Sequence, residues 1–207
     1  MKTLICVPCM GTVHVEFMCS LIDLQKPKGT EYTVTNGTLV YNARNAMTYT
    51  AIKNGFDRVL WIDSDMVFDD DTLVKLSKDM DEGLDYVSGI YFTRREPVIP
   101  TIYQDIWWKV NDDGNVDTGS KPIEELPKGL IEIAGSGFGC VMTSVDLIKA
   151  VTEKYGAPFT PMMGIGEDMA FCWRVKQLGF KMWCDGRVKV GHIGQKTFTD
   201  RDWKSLH

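Results

Sequence analysis

The sequence has no surplus of positive charge and no long hydrophobic run. It contains 23 Lys and Arg against 28 Asp and Glu, which gives a formal net charge of −5. A general nucleic-acid binder needs a basic footprint, so that class is excluded. No apolar run approaches the ~20 residues that span a bilayer. Pro8 and Glu16 interrupt the short apolar start, unlike a signal peptide, and we expect a cytoplasmic protein without a transmembrane segment.

The six cysteines lack the close spacing of a metal site. Cys6 and Cys9 form a C-x-x-C pair, but no second pair exists to complete a zinc site. A redox role for this pair is the alternative, and no other feature of the chain supports it. We therefore expect reduced thiols that are buried or line a pocket.

Hydrophobic periodicity divides the first ninety residues into alternating strands and helices. Short apolar runs predict strands at Leu4–Pro8, Tyr32–Val34, Arg58–Ile62 and Tyr86–Phe92. Helical spacing predicts helices over Val13–Leu24, Leu39–Ile52 and Thr72–Met80. This alternation is typical of an α/β fold with a mostly parallel central sheet.

The second half of the chain begins with a segment of different character. Residues 93–128 hold most of the prolines and predict a loop-rich insertion with short antiparallel strands. Strands are predicted at Leu130–Ala134, Phe138–Thr143, Lys181–Cys184 and Val188–Gly191. Helices are predicted from Ser144 or Asp146 to Lys154 and over Glu167–Leu178. The polar stretch from Gly194 to His207 is expected to be an ordered tail, and the 207 residues suit a single domain.

The strongest local feature is the run Asp63-Ser64-Asp65 directly after the apolar strand ending at Ile62. Side chains two residues apart point the same way in an extended chain, so both carboxylates can face one site. Mg²⁺ and Mn²⁺ prefer oxygen ligands and often bridge to substrate phosphates. A helix cap or an acidic loop is the structural alternative. An EF-hand is excluded because Phe68 stands where that loop needs glycine.

Two further sites carry polar groups suited to catalysis. Glu167 and Asp168 open a helix after a glycine-rich segment. At that position they can cap the helix, or one of them can present a general base to a cleft. His192 stands between Gly191 and Gly194 at a strand end. A single histidine is often structural, but imidazole also suits transition metals.

The order of these motifs resembles the GT-A fold glycosyltransferases, especially the family 2-like group. The pattern is strand-Asp-x-Asp, a glycine-rich strand, Gly-Glu-Asp-x-x-Phe-Cys-x-Arg and then Gly-His, and it covers nearly the whole chain. The resemblance implies an α/β/α sandwich with a nucleotide-binding half at 1–92 and an acceptor-binding half at 93–207. It also implies transfer of a sugar from a nucleotide-diphosphate sugar, UDP-linked in preference to GDP-linked, to a glycan, small-molecule or protein acceptor.

The resemblance assigns roles to individual residues. Asp65 and His192 would bind Mn²⁺ or Mg²⁺, with Asp63 reaching the metal through water or contacting the ribose. Asp168 would be the base of an inverting transfer, and Glu167 would orient the acceptor or the loop. Residues expected to contact the nucleotide are Val7, Pro8, Cys9, Arg44, Asn45 and Ser64. Small residues expected beneath the donor sugar are Gly135, Ser136 and Gly137.

Structural alternatives accompany several of these assignments. Arg44 suits phosphate geometry but equally a structural ion pair, and Gly135–Gly137 also fits a bulge or a tight turn. Trp107 and Trp108 suit stacking on a sugar acceptor or ordinary packing.

The sequence also departs from the family pattern. The region Thr33–Gly37 lacks the acid that contacts the base in family 2, and the Gln-x-x-Arg-Trp motif of processive synthases is absent, which indicates single transfers. Three other functions remain open. These are a haloacid-dehalogenase-like phosphatase using Asp63 and Asp65, a nucleotidyltransferase, and a non-catalytic nucleotide- or carbohydrate-binding module.

Overall fold

The computed structural model describes residues 1–194, so the tail expected over 195–207 lies outside the described residues. Five helices lie within this range: α1 Val15–Asp23, α2 Val40–Lys53, α3 Thr72–Asp81, α4 Val145–Tyr155 and α5 Glu167–Gln177. The strands are β1 Thr3–Cys9, β2 Thr30–Asn36, β3 Arg58–Ile62, β4 Met66–Phe68, β5 Tyr86–Ile90, β6 Ile102–Val110, β7 Val116–Pro122, β8 Leu130–Ile133, β9 Gly135–Ser136, β10 Cys140–Ser144 and β11 Met182–His192.

Eight strands form the central sheet. Seven follow the order β2-β1-β3-β10-β5-β11-β4, and β8 pairs with β11. Strands β1, β2, β3, β5 and β11 run in one direction, whereas β4, β8 and β10 run antiparallel to their neighbours. The expected α/β fold with a mostly parallel sheet is therefore confirmed.

Apolar side chains on both faces of the sheet form two cores. Val59 and Trp61 of β3 belong to one core, and Leu60 and Ile62 belong to the other. Helices α2, α4 and α5 cover the first core, while α1 and α3 cover the second. A strand buried on both faces reads as a continuous apolar run, which is why β3 stands out in the sequence. The result is the α/β/α sandwich.

The insertion is more regular than the sequence indicates. Its main part is a hairpin of β6 and β7, nine and seven residues long, which forms a three-stranded sheet with β9. Ile102 and Ile106 are buried in β6, but most other positions of the hairpin are at least partly exposed. A register shift between Tyr103 and Asp105 also interrupts its alternation. Weak alternation therefore conceals these strands.

The last strand is continuous, where the sequence predicts two short ones. Strand β11 carries a register irregularity between Cys184 and Lys189. Gly186 lies within it, and a Cβ there would be 2.0 Å from the carbonyl oxygen of Pro127. The polar run Asp185–Arg187 therefore continues the strand because the backbone of another segment packs against it. None of the helices within 1–194 is long and apolar enough to cross a membrane.

Candidate functional site

Three segments meet where β3 ends. The amide of Asp63 donates to the Gly139 carbonyl over 3.2 Å, which ties the end of β3 to the residue before β10. The amide of Ile193 donates to the Asp65 carbonyl over 2.9 Å, which brings in the end of β11. Because β3 and β11 run parallel, both chain ends lie at the same edge of the sheet. Ligands bind at this edge in open α/β sheets.

The carboxylate of Asp65 lies beside two nitrogen-bearing side chains. Its Oδ2 is 3.6 Å from Nε2 of His192 and 2.6 Å from Nη1 of Arg94. Burial raises the pKa of Asp65, but the neighbouring His192 side chain and the positive charge of Arg94 outweigh it, so the pKa lies below its ordinary value. Asp65 is therefore held as an anion.

The orientation of the His192 ring is fixed from its far side. Nδ1 lies 2.7 Å from the carbonyl oxygen of Phe92, which can only accept a hydrogen bond, so Nδ1 carries a hydrogen. In the neutral ring Nε2 then presents a lone pair toward Oδ2 of Asp65. A histidine ligand usually donates its other N–H in this way. The ring of Tyr91 packs edge-on against the imidazole at 5.4 Å and holds it further.

The pair Asp65 and His192 fits a divalent cation. Two ligand atoms each about 2.1 Å from a metal stand roughly 3 to 4 Å apart, and the observed Nε2–Oδ2 separation is 3.6 Å. Within residues 1–194, no group of three or more His, Cys, Asp and Glu is placed to hold a metal. Mg²⁺-type ions commonly use one or two protein ligands and fill the other positions with water and substrate phosphates.

Asp63 is held in a different ion pair. Its Oδ1 accepts a hydrogen bond from Nη2 of Arg44 over 2.8 Å, and Nη1 of the same guanidinium donates to Oε1 of Glu167 over 2.6 Å. Arg44 is only 2% exposed and lies against the rings of Phe138 and Phe159. Burial raises the pKa of Asp63, and Arg44 opposes this shift. The structural ion pair left open by the sequence is thus present at Arg44.

The carboxyl group of Asp168 lies at the N-terminus of α5. Its Oδ1 accepts a hydrogen bond from the amide of Met169 over 2.7 Å. Burial raises the pKa of Asp168, and the neighbouring charge of Glu167 raises it further. A carboxyl group with a raised pKa binds a proton more readily than an ordinary aspartate, which suits a general base.

A pocket of about 520 Å³ opens at this edge of the sheet. Pro8 and Cys9 line it at the end of β1, and Asp63, Ser64 and Asp65 line it at the end of β3. The remaining lining residues are Met10, Gly11, Thr12, His14, Thr38, Val40 and Arg94. Four residues expected to contact the nucleotide, and Asp65 as an expected metal ligand, therefore line one pocket.

Other sequence-predicted residues lie outside this lining. Val7 is fully buried in β1, and Oδ1 of Asn45 accepts a hydrogen bond from the amide of Phe159 over 2.9 Å. Ser136 is fully buried, and its hydroxyl lies 2.7 Å from the hydroxyl of Tyr86. Gly135 and Ser136 form β9, so this segment is a strand of the small sheet.

The glycines around β9 make room for Tyr91. A Cβ at Gly137 would be 2.0 Å from the Tyr91 hydroxyl oxygen, and one at Gly139 would be 2.8 Å from its ring. That hydroxyl also accepts a hydrogen bond from the Gly139 amide over 3.1 Å.

Sequence reasoning did not find Arg94 or Tyr91. Arg94 follows the strand β5 by four residues, at the same edge of the sheet as Asp65. Arg94 could have been found from the sequence, because parallel strands present their carboxyl ends at the same edge of the sheet. Tyr91 gives no comparable signal, because its neighbours at 137 and 139 belong to a distant segment.

Comparison with solved structures identifies the class of this fold. No protein-family model matches the chain, and no curated protein does. Among solved structures, A197 from STIV is similar at a TM-score of 0.68 and 19% identity, over 93% of this chain and 86% of that one. GalNAc-T7 solved with UDP, GalNAc and Mn²⁺ gives a TM-score of 0.59 at 10% identity, and residues 1–349 of S. aureus TarS give 0.54 at 14%.

The latter two similarities cover most of this chain but only part of the other protein. They span 96% and 89% of this chain, against 45% of the GalNAc-T7 chain and 57% of the TarS chain. GalNAc-T7 and TarS are GT-A glycosyltransferases. At these identities the likeness defines the fold. The chain has a GT-A-like fold, in agreement with the resemblance of its motifs.

Proposed function

We propose that this protein is a metal-dependent glycosyltransferase. It transfers a sugar from a nucleotide-diphosphate sugar, UDP-linked in preference to GDP-linked, to an acceptor hydroxyl. The observation that carries the proposal is a 520 Å³ pocket at the carboxyl edge of the sheet, lined by Asp65, whose Oδ2 lies 3.6 Å from Nε2 of His192. The GT-A-like fold supports it, and GalNAc-T7, which shares that fold, was solved with UDP and Mn²⁺.

In this proposal the part of the pocket lined by Asp63 and Asp65 receives the diphosphate. Asp65 and His192 would hold Mn²⁺ or Mg²⁺, and Asp63 would reach the metal through water or contact the ribose. The metal, when bound, would neutralise the charge that develops on the leaving diphosphate. Pro8, Cys9 and Ser64 line the part of the pocket that receives the nucleotide, and residues 1–92 form the nucleotide-binding half. Arg44 acts indirectly, by holding Asp63 and Glu167.

Asp168 takes the proton of the acceptor hydroxyl. The acceptor oxygen forms a bond to the anomeric carbon, and the bond from that carbon to the diphosphate breaks. The proton moves to the Asp168 carboxylate, and the nucleoside diphosphate leaves with the electron pair. Attack opposite the leaving group inverts the anomeric configuration. Residues 93–207 form the acceptor-binding half.

Nucleotide binding and donor turnover test the proposal. Calorimetry with UDP and GDP in the presence of Mn²⁺ should show binding that EDTA abolishes, and Asp65→Ala should remove this metal-dependent binding. Asp168→Asn should bind the donor as the wild type does and lose turnover by about 100-fold or more. Nucleotide affinities unchanged by EDTA would refute the metal assignment. Phosphate release from simple phosphoesters without a sugar donor would instead indicate a phosphatase.

A further inference from the structure

Strand β2 forms one edge of the central sheet. It pairs with β1 on one side, and within residues 1–194 no strand pairs with its other side. All seven of its residues, Thr30 to Asn36, follow β1 in one unbroken register. An open edge of this kind is a template for another strand, and proteins usually protect it with lysine, proline or a bulge. The strand sequence Thr-Glu-Tyr-Thr-Val-Thr-Asn contains neither residue, and its register has no bulge.

Strand β2 also exposes two large apolar side chains on one face. Tyr32 is 68% exposed and Val34 is 50% exposed. Their partners in β1 are Ile5 and Val7, which belong to the core covered by α1 and α3. Because paired residues of a parallel ladder point to the same face of a sheet, Tyr32 and Val34 lie on the α1 face. The apolar surface of this face therefore continues past the core to the open edge.

Helix α1 presents a second apolar side toward this edge. The hydroxyl of Ser20 accepts a hydrogen bond from the Phe68 amide over 3.2 Å, and the strand order places β4, which contains Phe68, on the far side of β1 from β2. At 100° per residue, Met18 and Ile22 lie on the opposite side of the helix from Ser20, with Val15 close to them. All three side chains are exposed. This side of α1 therefore faces the β2 edge and remains uncovered within residues 1–194.

The sequence of β2 is suited to pairing with itself. When two copies are paired antiparallel about Thr33, Tyr32 of each copy lies directly opposite Val34 of the other. Aromatic and β-branched side chains are favourable cross-strand partners. Glu31, the only charged residue of the strand, then lies opposite Thr35, so no like charges of the two strands meet. A second copy supplies this complementarity through symmetry alone.

We propose that the β2 edge is the interface of a symmetric dimer of this chain, formed by antiparallel pairing of β2 with β2 of a second copy about Thr33. A twofold axis perpendicular to the sheet keeps α1 of both copies on the same face. The Tyr32 and Val34 side chains of both copies then fill the space between the two helices, beside Met18 and Ile22. The 520 Å³ pocket has no lining residue in β2, so the interface and the proposed nucleotide site use different surfaces.

Sedimentation equilibrium of the 207-residue protein tests the dimer. The mass of the wild type should rise with concentration toward twice the 23.4 kDa of one chain. Tyr32→Lys combined with Val34→Lys should raise the dissociation constant at least about tenfold, because two favourable cross-strand pairs become pairs of like charge. Val110→Lys, at a valine of β6 that is 51% exposed, is the matched control and should dimerise as the wild type does. A wild type that stays monomeric would refute the proposal.

Mixing variants of opposite charge identifies the strands that pair. Tyr32→Glu combined with Val34→Glu should also weaken the dimer. An equimolar mixture of the lysine and glutamate variants should recover it, because each lysine then lies opposite a glutamate of the other chain. Recovery in the mixture also shows that both variants are folded. A mixture that stays monomeric, or charged variants that dimerise as the wild type does, would show that the dimer does not form through β2.

A disulfide across the axis tests the register. The background is Cys19→Ser, which removes the cysteine exposed on α1. Thr33→Cys should then form a disulfide-linked dimer on oxidation, because opposite residues of an antiparallel pair have Cα atoms about 4.5–5.5 Å apart. Glu31→Cys should remain a single chain on non-reducing electrophoresis, since its two copies are offset by roughly 13 Å along the strands. A disulfide formed by Glu31→Cys and not by Thr33→Cys would overturn the pairing about Thr33.

Discussion

Arg94 and a bound metal ion would compete for the same oxygen atom of Asp65. The guanidinium lies 2.6 Å from Oδ2 and lines the 520 Å³ pocket, although half of its side chain is exposed. A cation placed between Asp65 and His192 would meet the positive charge of Arg94. A nucleoside diphosphate in the pocket would be attracted by the same charge. Arg94 should therefore weaken binding of the metal ion and strengthen binding of the nucleoside diphosphate.

Arg94→Ala should change the two affinities in opposite directions. Without nucleotide, the affinity for Mn²⁺ should rise about threefold, as expected for removing one exposed like charge. At saturating Mn²⁺, the affinity for UDP should fall about tenfold because a charge-assisted contact is lost. Free Mn²⁺ measured by electron paramagnetic resonance, and UDP calorimetry, give the two values.

The neighbouring Arg95 provides the control for this experiment. It is exposed and does not line the pocket, so Arg95→Ala should leave both affinities close to the wild type. A loss of Mn²⁺ affinity in Arg94→Ala would show that the guanidinium places the Asp65 carboxylate rather than competing with the metal.

Helix α3 and strand β11 are joined by two buried carboxyl groups that share one arginine. Oδ1 of Asp79 and Oδ1 of Asp185 each lie 2.8 Å from a nitrogen of Arg187. Within residues 1–194, the Oδ2 atoms of both aspartates are buried and have no hydrogen-bond partner. Burial, reinforced by the charge of Asp185, raises the pKa of Asp79 to about 6. One proton on Asp79 thus relieves the repulsion between the two elements.

This carboxyl pair should make stability depend on pH. A carboxyl group whose pKa is raised in the folded state stabilises that state below its unfolded pKa, and the stabilisation disappears as pH rises through the folded value. Between pH 4 and pH 7, the free energy of unfolding of the wild type should fall relative to Asp79→Asn, by on the order of 1–2 kcal/mol. Urea unfolding followed by tryptophan fluorescence at each pH measures the difference.

An exposed carboxylate on α4 controls for general effects of charge. Asp146 has a side chain that is 88% exposed, so the free energy of unfolding of Asp146→Asn should vary with pH in parallel with that of the wild type. If the free energy of Asp79→Asn also varied in parallel with the wild type, Asp79 would hold no extra proton in the folded protein.

The elements of the first half could be predicted because their hydrophobic periods are regular. Strand β3 is found at its predicted bounds, and helices α1 to α3 begin or end within two residues of prediction. Strand β4 is three residues long, too short for a period to show, and its pairing with Val190–His192 is set by the tertiary fold. By contrast, Asp65 and His192 could be proposed as a pair from the sequence, because the order of the motifs resembles that of a known family.

The partners of Arg44 could not be predicted from the sequence. Asp63 and Glu167 lie 19 and 123 residues away along the chain, and no local pattern encodes such contacts. Arg44 also lies on the buried side of α2, together with Thr48, where hydrophobic periodicity would place an apolar residue. A charged residue at a core position is stable there only because its partners come from other elements.

At the scale of the molecule, Arg44 connects the two proposed halves. It lies in α2, and its guanidinium reaches Asp63 after β3 and Glu167 at the start of α5. The Asp63–Asp65 turn and the Glu167–Asp168 pair are thereby set relative to one another. This one contact links the proposed donor side to the proposed acceptor side.

Arg44→Met should therefore damage both stability and catalysis. Two partly buried carboxylates would lose their partner, which should lower the free energy of unfolding by about 3 kcal/mol. Lys149→Met, which removes a surface pair with Asp146, should cost less than about 1 kcal/mol. Adding Asp63→Asn and Glu167→Gln to Arg44→Met should recover stability, since the unpaired charges are then gone, but turnover should stay low because the two acidic motifs are no longer tied and both carboxylates are lost. Recovery of turnover together with stability would show that Arg44 serves folding alone.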